Sequence, residues 1–150
     1  MSTTLKVTSS LEANKSSKPN TSQTIDAPQQ EAVITQEELL QFRGTERHYK
    51  HFLNQFVYTD GVQYLAKKAK AYWLLDAIAF HQPNLLKDPM LRDVQIWKLL
   101  VDTEQKTAHL ICERDLNDIV LTLNIDYTDF PLSEVKFYLI KKVLLLPSEY

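Results

Sequence analysis

The chain has 150 residues, 44% of them apolar, and a net charge of -2. That is the size of one domain with enough apolar matter for a core, and a charge that exerts no strong pull toward nucleic acid or an anionic membrane. One cysteine, Cys112, excludes an intrachain disulfide. With no secretory apolar stretch near Met1, the reading is a reducing cytoplasm.

The first 34 residues carry eleven Ser or Thr and no aromatic residue. Such a segment offers too little apolar area to offset the entropy of ordering it, so residues 1–34 are expected to be a disordered tail. The expected domain is 35–150. Its start is marked by Thr35-Gln36-Glu37-Glu38, a capping box in which Thr35 caps the helix and Glu38 reaches back. Gly44 suits the stop of that helix.

Thr45 can cap a second helix, with Tyr49, Phe52, Leu53 and Phe56 at helical spacing. Thr59 or Asp60 can cap a third, running from about Val62 to Gln82. Its second half, Ala71 to Phe80, is apolar nearly all round and predicts a helix buried on most sides. It is too short to span a bilayer.

After Asp88-Pro89 the period changes. Val94–Val101, Ala108–Glu113 and Ile119–Tyr127 read as strands, the last by strict alternation. Val135–Ile140 and Val143–Leu146 follow Pro131. Short connections favour antiparallel pairing. The expected fold is therefore α+β, with three N-terminal helices packed on one face of an antiparallel, mostly meander sheet of four to five strands.

Five blocks carry a family resemblance: Gly44-Thr45-Glu46, Phe56 to Gly61, Ala71 to Ile78, Tyr127 to Leu132, and the ending Leu145 to Tyr150. Together they resemble a bacterial family of unknown function over Phe42 to Tyr150. The resemblance implies a domain boundary and brings no activity, substrate or cofactor.

Asp76 stands out, because an ionised carboxylate within the most apolar segment is costly unless paired. Burial there would raise its pKa toward proton transfer; the plainer reading is a buried, hydrogen-bonded anchor. Tyr58-Thr59-Asp60 recurs as Tyr127-Thr128-Asp129. Two such loops could line one pocket, although local capping explains each. The candidate ligand-binding residues are thus Tyr58, Asp60, Asp76, Tyr127 and Asp129.

His48 and His51, three apart, are candidate metal ligands with Glu46. The apolar stripe, however, turns His51 to solvent, and no standard zinc spacing results. Cys112 alternates with Ala108 and Leu110 and is expected in the core. Lys67, Lys68 and Lys70 read as a solvated face, and two glycines in all exclude a phosphate loop. Neither metal nor cofactor is expected. The functional expectation is a non-enzymatic accessory protein of the bacterial cytoplasm with a protein partner and no membrane or nucleic-acid role. The alternatives are a small enzyme using Asp76 or the Tyr-Thr-Asp loops, and a weak nucleic-acid-binding module.

Overall fold

The computed structural model describes residues 34–44 and 47–150. In chain order these form α1 (Gln36–Leu40), β1 (His48–Lys50), β2 (Val57–Thr59), α2 (Asp60–Lys68), α3 (Tyr72–Phe80) and α4 (Gln82–Leu85). Then come β3 (Val94–Asp102), β4 (Thr107–Asp115), β5 (Asp118–Ile125), β6 (Glu134–Ile140) and β7 (Val143–Leu145). Short 3₁₀ turns lie at Pro89–Leu91 and Pro147–Glu149.

The seven strands form one sheet in the order β1-β2-β7-β6-β3-β4-β5. Every neighbouring pair is antiparallel except β2 with β7. Along β3 the burial alternates, with Gln95, Trp97, Leu99 and Val101 inside. Val135, Phe137 and Leu139 of β6 lie on the same face, as do Ala108, Leu110 and Cys112 of β4. Val62, Leu65 and Ala66 of α2 and Leu74, Leu75, Ile78 and Ala79 of α3 complete one core with them. Period-2 burial on the strands and one buried stripe per helix are what a single sheet covered on one face requires.

The α+β class and all five C-terminal strands are as expected. The rest of the expectation is corrected. The sheet has seven strands, because β1 and β2 occupy the stretch read as a second helix. Its apolar spacing mimics a helical stripe, yet it folds as a hairpin in which Tyr49 pairs with Tyr58. Asn54 makes the turn in the left-handed region at φ 59. The helices therefore do not form an N-terminal block.

The long third helix is also broken. It stops at Ala69, Lys70 takes φ 55, and α3 restarts at Tyr72. Nor is the sheet mostly a meander: β6 returns to the far side of β3, and β7 joins β6 to β2.

The capping box forms as read. Thr35 Oγ1 accepts the Glu38 N–H at 3.2 Å, and Glu38 Oε1 accepts the Thr35 N–H at 3.1 Å. The helix ends at Gln41, short of Gly44. Glu38 Oε2 also accepts from the Tyr64 hydroxyl and from Lys68 Nζ, which docks α1 on α2. Those two bonds hold the Glu38 carboxyl below its usual range. The expected disordered tail lies outside the described residues except at Ile34, which is buried in the core. Thr45 and Glu46 lie outside them too.

A buried polar lock seats α4 on β3. Gln82 and Gln95 exchange side-chain hydrogen bonds at 2.9 Å each way. Their remaining donors go to the Ile78 and Leu91 carbonyls, and Trp97 Nε1 donates to Gln95 Oε1. Satisfying every polar atom is the condition for burying such a pair.

Candidate functional site: an aromatic surface around Asp76

In α3 the buried residues 74, 75, 78 and 79 point one way, so Tyr72, Asp76 and Phe80, four apart, share the opposite exposed face. Asp76 is therefore not buried as expected. Its side chain is 51% exposed. The residue that is buried is the one expected in solvent: His51, at 5%. It sits at the start of the turn between β1 and β2, and its Nε2 meets Asp76 Oδ1 at 2.8 Å.

The tautomer follows from the other ring nitrogen. The Leu53 N–H can only donate, and it lies 3.1 Å from His51 Nδ1, so Nδ1 accepts. The proton then sits on Nε2 and is donated to Asp76. The main chain of His51 closes the same turn, its N–H donating to the Phe56 carbonyl at 3.2 Å and its carbonyl accepting from Asn54 at 2.9 Å. Phe52 and Phe56 pack on the ring at 4.7 and 5.3 Å between centroids. Phe56 is buried, while Phe52 is 72% exposed.

Across the hairpin, Tyr49 and Tyr58 stack at 5.6 Å with 22° between planes. Tyr58 pairs with Leu144, a core residue, so both rings lie on the helix-bearing face beside α3. Burial pushes the Tyr58 phenol up, and the negative charge that Tyr72, Tyr49 and Asp76 can carry pushes it the same way. Tyr58 thus stays a neutral hydroxyl at physiological pH.

This geometry is a clamp with an aromatic surround. A general base must reach the proton it removes, and His51 has both nitrogens engaged and its ring buried. What the surface offers is a half-exposed carboxylate held in place by the imidazole, flanked by Tyr72, Phe80 and Phe52.

The structure brings together Tyr58 and Asp76 from the five sequence candidates. Asp60 opens α2 as the acidic residue of its first turn. Thr59 Oγ1 accepts the Val62 N–H at 3.3 Å and is the cap. Tyr127 and Asp129 lie elsewhere. The Thr128 N–H donates to the Lys106 carbonyl at 2.8 Å, which ties their loop to the β3–β4 turn. The strands that lead into the two loops, β2 and β5, are five positions apart in the sheet, and the β3–β4 turn that holds the second loop is at least three strand spacings from β2, about 14 Å at the usual spacing, so the loops do not line one pocket.

The first of those loops is held by the end of the chain. Glu149 Oε1 accepts from Thr59 Oγ1 at 2.6 Å and from the Leu146 N–H at 3.0 Å, and Oε2 accepts the Gly61 N–H at 3.1 Å. A carboxylate is favoured at a helix N-terminus. A Cβ on Gly61 would stand 2.8 Å from both Glu149 Oε1 and Leu146 Cδ1. Gly61 is glycine because the C-terminal turn closes over it.

His48 lies exposed on β1, away from the buried ring of His51. Among the described residues no group of three His, Cys, Asp or Glu side chains is placed to hold a metal. Cys112 is buried, and burial followed by the nearby Glu113 charge pushes its thiol up to about 12. No helix among the described residues is long and apolar enough to cross a membrane.

Sequence reasoning missed Tyr49, Phe52, Tyr72 and Phe80, and weighed His51 only as a metal ligand turned to solvent. The signal for Tyr72 and Phe80 was available: their fourfold spacing with Asp76 opposes the stripe of 74, 75, 78 and 79. Nothing comparable marked His51, whose role depends on the hairpin.

The fold and the surface together define a single-sheet α+β domain with an exposed aromatic face. The chain belongs to the family of unknown function DUF6876, whose family model matches residues 33–150. No curated protein and no solved structure matches the chain.

Proposed function

We propose that this is a non-enzymatic accessory protein of the bacterial cytoplasm, and that it binds a protein partner through the aromatic surface around Asp76. One observation carries the reading. Phe52 and Phe80 are each 72% exposed, the first packed on the buried histidine that orients the Asp76 carboxylate and the second one helical turn beyond Asp76. Large aromatic side chains grouped in water mark contact surfaces, and tyrosines among them supply area at low entropic cost. Tyr58 and Asp76 belong to this surface; Tyr127, Asp129 and Asp60 do not. The matching partner presents apolar side chains and a lysine or arginine, for Asp76 and the face of Tyr72.

The enzyme reading is less well supported. His51 Nδ1 is capped by a backbone amide, and Tyr58 is held neutral, so neither stands as a free base beside the Asp76 carboxylate. A nucleic-acid role finds no help in Lys68, which is spent on Glu38. The test is affinity capture from the source organism with quantitative mass spectrometry, comparing the wild-type chain with Phe52→Ser, Phe80→Ser. A protein enriched by the first and lost with the second supports the reading. Equal enrichment overturns it.

A further inference from the structure

The two edges of the sheet are unlike. The β1 edge is three residues long and carries His48 and Lys50. A short, charged strand is a usual means of discouraging further pairing. The β5 edge is eight residues long. From Ile119 to Ile125 it reads Ile-Val-Leu-Thr-Leu-Asn-Ile, with no charge and no proline. Natural edges of this length and composition are normally covered or paired.

The side chains of β5 point to the same conclusion. Leu121, Leu123 and Ile125 pair with Cys112, Leu110 and Ala108, so they lie on the core face. Their partners on β4 are buried, yet these three are only half-buried and form the open rim of the core. The strand is also self-complementary. About a two-fold axis at Leu123, antiparallel pairing sets Leu121 against Ile125, Leu123 against itself and Thr122 against Asn124. A two-fold perpendicular to the sheet keeps both apolar rows on one face. The register shift near Glu113 lies outside Leu121–Ile125, so the paired segment is regular.

We propose that β5 pairs with β5 of a second copy of this chain, making a continuous sheet through an isologous dimer. The occupant is a second copy because the strand matches its own reverse and no charge opposes the match. One strand pair is smaller than a standard interface, so the dimer is a concentration-dependent equilibrium.

Sedimentation equilibrium of the full chain across micromolar concentrations tests this, beside Thr122→Lys. Thr122 is exposed and faces away from the core, so the substitution leaves the monomer fold intact, as a thermal melt will check. The expected result is a wild-type mass rising toward twice the monomer, and a dimer weakened roughly tenfold or more by the lysine. Amide exchange within Leu121–Ile125 should also slow as wild-type concentration rises, a readout that needs no variant. The proposal is overturned by a wild-type chain that stays monomeric throughout. It is equally overturned by a dimer that Thr122→Lys leaves unchanged, or by β5 exchange independent of concentration.

Discussion

The imidazole of His51 and the carboxylate of Asp76 meet at 2.8 Å with the histidine inside and the acid half outside. This joins the β1–β2 turn to α3, two elements 25 residues apart in sequence. The asymmetry decides what each side chain contributes. Water can reach the Asp76 side of the bond, but the His51 ring fills space between Phe52 and Phe56 and caps the turn through Nδ1.

Substitutions at the pair should therefore be unequal. Asp76→Asn keeps an oxygen for Nε2–H and should change stability by less than about 1 kcal/mol. Asp76→Ala should cost about 1 kcal/mol, because water replaces the lost acceptor. His51→Ala removes a buried ring and the cap, and should cost roughly 2–4 kcal/mol. Chemical denaturation of the three variants checks the order. A cost for Asp76→Ala equal to that of His51→Ala would show that Asp76 is an internal anchor after all.

Gly61 and Glu149 should be coupled. Gly61→Ala drives a methyl group against the Glu149 carboxylate and Leu146, at a cost of roughly 1–3 kcal/mol. Glu149→Ala alone loses three accepted hydrogen bonds, again roughly 1–3 kcal/mol. Combined, the two should cost less than their sum, because the clash partner is gone. Strict additivity in the double-mutant cycle would contradict the contact.

The helices show why some of the fold was legible and some was not. The strands β3 to β7 announce themselves by alternation, and the Thr35 box by local chemistry that needs no tertiary partner. Residues 49 to 56 satisfy a helical template and a hairpin equally. The choice falls to β7, which pairs with β2 from 86 residues further along the chain. Asp76 was singled out for being charged in an apolar run, and it does sit at the candidate surface. An apolar run nearly all round predicts its burial, yet only 74, 75, 78 and 79 face inward, and the apolar Tyr72 and Phe80 share the exposed side with Asp76.

The start of the folded unit can be placed within two residues by truncation. A chain beginning at Val33 should melt as the full chain does, on the compositional argument for the preceding residues. Removing Ile34 as well should cost up to roughly 1.5–3 kcal/mol, the value of burying its side chain. A melt that falls steeply already at Val33 would show that earlier residues stabilise the domain.

The central claim is that the exposed aromatics around Asp76 are a contact surface while equally exposed aromatics elsewhere are not. Phe80 and Tyr127 make the comparison, at 72% and 68% exposure. A photo-crosslinking phenylalanine analogue at each position, illuminated in living cells of the source organism, reads the difference directly. The account predicts a discrete crosslinked product with another protein from position 80, and from position 127 none beyond the second copy that β5 pairing brings near it. Crosslinking at 127 alone, or at neither position, would contradict it.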